Sequence, residues 1–132
     1  MKIGITGQNG FVGRHLYNTV GLLDTEFERI EFDKKFFESD AELDRFVAQC
    51  DVIVHLAAMN RHESEQVIYE TNVGLVNKLV GALERTGSKA HVLISSSTQE
   101  ERDNLYGRSK REGREALMSW AEKNGGKLTG LL

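Results

Sequence analysis

Tyr106 and Lys110 stand four residues apart in Tyr106-Gly-Arg-Ser-Lys110, the spacing that brings two side chains together on one helix face. An ammonium beside a phenol stabilises the phenolate, so the pair is suited to passing a proton to or from a carbonyl oxygen. Just upstream, Ser95-Ser96-Ser97-Thr98 closes an apolar run. In an open parallel sheet the carboxyl end of a strand faces the ligand crevice, and a serine there can hydrogen-bond the same oxygen. Alone, a Tyr-x-x-x-Lys is common in helices and usually structural. It gains meaning beside a binding site for a redox cofactor.

Such a site is written at the start of the chain. Gly7-x-x-Gly10-x-x-Gly13 follows a short apolar strand and opens a helix, the context that makes the pattern informative. Gly7 permits the tight turn, Gly10 lets backbone approach a pyrophosphate, and Gly13 allows close helix–strand packing. The helix N-terminus offers free N–H groups and the positive end of a dipole to that anion. The pyrophosphate is expected over Gly7–Phe11, with Asn9, Val12 and Arg14 in the same turn. Asp33, twenty residues beyond Gly13, stands where an acid binds the adenosine ribose hydroxyls and favours NAD. Lys34, Lys35 and Arg14 pull the other way, toward a 2′-phosphate and NADP, and these residues alone leave the choice open.

These groups need a scaffold that gathers distant turns at one edge, and the apolar periodicity supplies it. Strands are predicted over Lys2–Thr6, Phe27–Phe32, Asp51–Ala57, Ala90–Ser96 and from Lys127 to Leu132. Helices are predicted over Phe11–Val20, ended by Gly21, over Asp40–Gln49 behind a Ser39 N-cap, over Glu65–Glu84, and over Tyr106–Lys123. Strands alternating with helices imply a parallel sheet, because parallel strands need crossover connections. The expected fold is α/β, a Rossmann-type doubly wound sheet of order 3-2-1-4-5 with right-handed crossovers.

Thr6-Gly7-Gln8-Asn9-Gly10-Phe11-Val12-Gly13 resembles the opening of the extended short-chain dehydrogenase/reductases, and the resemblance runs along the chain. Asp51-Val-Ile-Val-His-Leu56-Ala57-Ala58 is similar to the family's third strand, whose small residues line the cofactor. Thr71-Asn72-Val73-Gly74 resembles a helix motif in which the asparagine supports the active-site backbone. The roles this implies are Ser97, with Ser96 as a substitute, orienting the substrate oxygen, Tyr106 as acid/base, and Lys110 holding the nicotinamide ribose and tuning Tyr106. Family 4,6-dehydratases carry Asp-Glu after the strand-four hydroxyl residue, whereas Thr98 and Gln99 stand here, which argues against dehydration. The short step from Ser97 to Tyr106 and Met59-Asn60-Arg61 after strand three resemble the capsular-polysaccharide reductases of the CapF type. That resemblance implies NADPH-dependent reduction of a UDP-linked 4-keto-6-deoxy-N-acetylhexosamine, with Asn60 and Arg61 as substrate contacts. It tips the cofactor toward NADP(H), with NAD as the alternative. The rival readings are an NAD-retaining UDP-sugar 4-epimerase and a non-catalytic dinucleotide-binding module.

Composition narrows the classes further. The chain has 132 residues, 39% hydrophobic and 28% charged, with a net charge of −3, which fits one nucleotide-binding domain over residues 1–132. Ten of its acids lie between Asp24 and Asp51, the opposite of a nucleic-acid-binding face. The apolar stretch Asp51–Met59 is broken by His55 and falls short of the ~20 residues a membrane span needs. With no apolar leader the expected location is cytoplasmic. The lone Cys50 reads as a small buried hydrophobe, His55 as a satisfied core histidine, and no metal site is expected. The apolar ending Leu131-Leu132 points to an N-terminal fragment of a longer enzyme, truncated before the substrate lobe and expected to be a homo-oligomer in full.

Overall fold

A computed structural model describes residues 1–23, 26–59, 62–95 and 104–131. In chain order it runs β1 (Lys2–Thr6), α1 (Phe11–Gly21), β2 (Glu28–Ile30), a 3₁₀ helix (Lys34–Glu38), α2 (Asp40–Gln49), β3 (Val52–His55), α3 (Glu65–Thr86), β4 (His91–Ser95), α4 (Leu105–Asn124) and β5 (Lys127–Leu131). The helix boundaries follow local chemistry. Ser39 caps α2 by accepting from Glu42 N, as its position predicts, and Ser64 caps α3 by accepting from Val67 N. Asn104 caps α4 by accepting from Gly107 N at 2.7 Å.

All five strands pair in parallel, in the order β2-β1-β3-β4-β5. The Rossmann-type parallel sheet is as expected, but the order 3-2-1-4-5 is corrected to 2-1-3-4-5. The reason is burial. β3 contributes Ile53, Val54 and His55, all buried, and a strand buried on both faces belongs in the middle of a parallel sheet. β2 has two exposed residues and one buried, which suits an edge. β2 is also shorter than Phe27–Phe32, because Phe32 N donates to Gln8 Oε1 instead of continuing the ladder.

The sheet's two faces are dressed differently. A Cβ at Gly4 would meet the Phe46 ring at 2.4 Å and Cys50 Sγ at 2.5 Å, so one face of β1 lies directly under α2. On that face the core joins Phe32, Phe37, Phe46, Ile53, Leu79, Leu83, Val92, Leu117 and Trp120 across α2, α3 and α4. The neighbouring strand positions Ile5 and Val54 are also buried and point the other way by strand alternation, to the side where α1 packs on β1 and β2. Cys50 is buried in the first of these faces and donates to Phe46 O. Burial, then the adjacent Asp51, push its thiol up to about 12, so it is the inert apolar residue expected.

Candidate functional site

Strand order reverses between β1 and β3, since β2 lies on one side of β1 and everything after β3 on the other. Ligands of open α/β sheets bind in the crevice at the carboxyl ends of strands at such a switch point. The glycine turn leaves β1 there. Gly7 has φ +79°, the left-handed region that favours glycine, and a Cβ on it would come 3.0 Å from Ala57 N. Gly10 N closes the turn on Gly7 O at 3.0 Å. Gly13 is where α1 touches that turn: a Cβ there would lie 2.0 Å from Gly7 O.

Gly10 differs from both neighbours. It is exposed and sits at the N-cap of α1 in extended backbone, with no side-chain cap on the helix. A Cβ would meet only Gly7 O, at 3.4 Å. The first-turn N–H groups of α1 are therefore left for an anion. Asn9, Gly10, Phe11, Arg14 and His15 line an open concavity of about 340 Å³ at this helix start, and Phe11 and Val12 are exposed large apolar side chains. A dinucleotide pyrophosphate fits this cradle, because the one position a side chain would fill is glycine and the capping group is missing. Asp33 and Lys34 are exposed at the 3₁₀ helix that follows β2. Asp33 Oδ1 accepts from Lys35 N at 2.9 Å, so this carboxylate is also a helix cap.

The ends of β1 and β3 are joined by a side chain that sequence reasoning passed over. Thr6, fully buried, accepts at Oγ1 from Leu56 N at 3.1 Å and Ala57 N at 3.2 Å, and its hydroxyl also bonds His55 Nδ1 at 2.8 Å. This holds Leu56, Ala57 and Ala58 against the glycine turn. His55 is 4% exposed. Burial, with a smaller contribution from Lys110, lowers its pKa to about 3, so the imidazole is neutral and satisfied, as the sequence predicts.

Across the crevice, Asn72 on α3 is buried and holds the chain after β3 by both backbone groups. Its Oδ1 accepts from Met59 N at 2.7 Å, and its Nδ2 donates to Met59 O at 2.9 Å and to Ser109 Oγ at 3.4 Å. Ser109 Oγ in turn donates to Tyr106 O at 2.7 Å. Asn72 thus supports the site's backbone. Its amide is engaged within the protein, in keeping with the backbone-supporting role that its motif implies.

Lys110, one turn after Tyr106 on α4, is half-buried and donates from Nζ to Ser95 Oγ at 3.2 Å. Lys110, Ser109, Asn72, His55, Ala57 and Ala58 line one small pocket. The structure therefore brings the lysine to the end of β4 and beside the end of β3, where it bonds Ser95. Ser97 and Ser96, Asn60, Arg61, Thr98 and Gln99 lie outside the described residues. A second linkage missed by sequence reasoning joins α3 to α4: Tyr69 donates to Glu112, which also accepts from Arg108 Nε at 3.1 Å. The Tyr69 bond is the main reason the Glu112 carboxyl sits below its ordinary range. Among the described residues no helix is long and apolar enough to cross a membrane.

The model of the NAD dependent epimerase/dehydratase family matches residues 3–131. The chain is 36% identical over 129 residues to the UDP-2-acetamido-2,6-beta-L-arabino-hexul-4-ose reductase of Pseudomonas aeruginosa strain PA103, covering 95% of this chain and 33% of that protein. It spans about a third of that relative's length. Among solved structures it resembles the capsular polysaccharide assembling protein CapF from Staphylococcus aureus, with a TM-score of 0.74 at 31% identity over 98% of this chain and 33% of the other. RMD from Pseudomonas aeruginosa, solved with NADPH, superposes with a TM-score of 0.85 over 98% of this chain and 53% of its own, at 18% identity, a likeness of fold. The match over nearly all of its length, on a parallel sheet whose glycine turn and Lys110 meet at the switch point, places this chain in the NAD dependent epimerase/dehydratase family.

Proposed function

We propose that residues 1–132 are the dinucleotide-binding part of a longer cytoplasmic enzyme that reduces a nucleotide-linked 4-keto-6-deoxy sugar of the UDP-N-acetylhexosamine type with NADPH, in cell-surface polysaccharide synthesis. The observation that carries this reading is the 36% identity to a UDP-sugar 4-ketoreductase across 95% of the chain. The placement of Lys110 on Ser95 beside the glycine cradle supports it. Gly7, Gly10 and the first turn of α1 would hold the pyrophosphate, with Phe11 and Val12 at its mouth. Arg14 and Lys34 would take a 2′-phosphate. When bound, a reduced nicotinamide dinucleotide supplies a hydride to the C4 carbon.

The chain's own residues handle the other half of the reaction. Tyr106 gives its hydroxyl proton to the C4 oxygen, so ketone, hydride and proton together make the alcohol. Lys110 stabilises the phenolate left behind and holds the nicotinamide ribose. Ser97 orients the carbonyl, with Ser95 and Ser96 in the same run, and Asn60 and Arg61 contact the sugar nucleotide. These donors matter because negative charge builds on that oxygen in the transition state. General acid catalysis supplies about 10²–10⁴-fold, so Tyr106→Phe in the parent polypeptide is expected to lower kcat by that factor with little change in cofactor affinity. Near-full turnover of the 4-keto sugar by that variant would remove Tyr106 from the role. The same assay distinguishes an NAD-retaining 4-epimerase, which interconverts sugars without consuming cofactor. Tenfold tighter binding of NAD than of NADP, about 1.4 kcal/mol, would assign the adenosine site to Asp33 rather than to Arg14 and Lys34.

A further inference from the structure

The proposed reaction gives no part to His55, a titratable side chain buried on the central strand after Val52-Ile53-Val54. An aliphatic residue would suit that strand, so the imidazole needs a reason. Its hydrogen bonds supply one. Thr6 Oγ1 accepts from both Leu56 N and Ala57 N, which occupies its acceptor sites. Its single proton is left for His55 Nδ1, 2.8 Å away. His55 therefore carries its own proton on Nε2.

The imidazole and Lys110 line the same pocket, which encloses about 10 Å³, room for a single water at most. Lys110 is the charged group lining it; Phe37 faces the imidazole edge-on at 6.4 Å from the 3₁₀ helix. A protonated imidazole here would repel the ammonium. The opposite tautomer would offer the ammonium an acceptor in the interior. The neutral Nε2–H form does neither, and Lys110 donates to Ser95 Oγ.

We propose that His55 is a positioning residue, fixed by Thr6 as the neutral Nε2–H tautomer, that keeps the Lys110 ammonium at the carboxyl end of β4. The proposal rests on the reading above for the statement that Lys110 serves the reaction. It is tested on the 132-residue chain by nitrogen NMR of its imidazoles between about pH 5 and 8. A neutral Nε2–H signal for His55 is expected throughout; an imidazolium or an Nδ1–H tautomer overturns the idea.

Lysine side-chain NMR then reads the consequence. His55→Leu, which leaves the Thr6 hydroxyl proton without its acceptor and reshapes the pocket wall shared with Lys110, is expected to displace the Lys110 ε-methylene signal and its titration midpoint. His55→Asn, which keeps an acceptor where Nδ1 stands, is expected to restore them. An unmoved Lys110 in the leucine variant, or no rescue by asparagine, sinks the proposal. Cofactor affinity is measured alongside, with NADPH expected to bind several-fold more weakly to His55→Leu while ADP-ribose binding is unchanged. A displaced Lys110 with unaltered NADPH affinity would uphold the positioning role and overturn the ribose contact assigned to Lys110.

Discussion

The glycine turn and the region around Lys110 meet at the same end of the sheet but are built by opposite means. In the turn, function comes from missing side chains: Gly7 passes against Ala57, Gly13 against Gly7, and Gly10 is exposed with only Gly7 O within reach of a Cβ. Around Lys110 it comes from side chains that are present, buried and paired, with Thr6 on β3's exit, Asn72 on Met59, and Ser109 on the Tyr106 carbonyl. The first region is rigid because the backbone has no room to move. The second is rigid because each polar group loses a partner if it does. An anion cradle needs backbone N–H groups exposed, whereas a proton-transfer site needs side chains held at fixed positions.

Substitution separates the two regimes, and the largest effect is expected at Gly13. Any side chain must displace Gly7 O, which a Cβ would approach to 2.0 Å. Overpacking of this kind costs about 3 kcal/mol, so Gly13→Val should both lower the denaturation midpoint and abolish dinucleotide binding. Gly10→Val sharpens the contrast. Its Cβ meets nothing nearer than 3.4 Å, so circular dichroism should report an intact fold while calorimetry reports no dinucleotide binding. Equal loss of stability in the two variants would mean that Gly10 is also a packing position.

In the paired region, Asn72→Leu strands Met59 N and Met59 O in a partly buried setting. Leaving such groups unsatisfied costs about 1–3 kcal/mol, read by urea denaturation. ADP-ribose affinity should persist, because the glycine cradle does not use Asn72. A smaller effect is expected from pH. His55 titrates near 6.5 when exposed and at about 3 when folded, so below pH 6.5 the unfolded chain binds the extra proton. Its contribution to stability is complete above about pH 6.5 and declines as pH falls toward 3, by about 2 kcal/mol at pH 5. Denaturation at pH 7 and 5 should show this loss, and His55→Asn should reduce it. The smallest effect belongs to Tyr69→Phe on the α3–α4 surface. Stability should barely change while the Glu112 carboxyl, relieved of its main hydrogen bond, titrates closer to its ordinary range by NMR.

The same division separates what could be read in advance from what could not. The spacing Gly7-Gly10-Gly13, the Ser39 cap of α2 and the Tyr106–Lys110 pair are local relations, fixed within one or two turns of chain. Each stands in the structure where periodicity puts it. Thr6, Gln8, Ser109 and the Tyr69–Glu112 bond were not legible, because each acts on a partner between 24 and 51 positions away and a polar residue does not announce its partner. Ser95 escaped notice among four consecutive hydroxyl residues, which pattern alone cannot rank.

By itself, then, the sequence determined the number of strands, their parallel pairing, and a glycine turn opening the first helix, since these follow from apolar period, crossover length and backbone freedom. Tertiary structure decided that β3 and not β2 stands beside both β1 and β4, because strand order depends on which segments can be covered on both faces. It also decided that Lys110 meets Ser95, that Asn72 holds the backbone at Met59, and that Thr6 is the partner of His55. Those outcomes depend on burial and on the competition of several donors for few acceptors, quantities that exist only once distant segments are packed together.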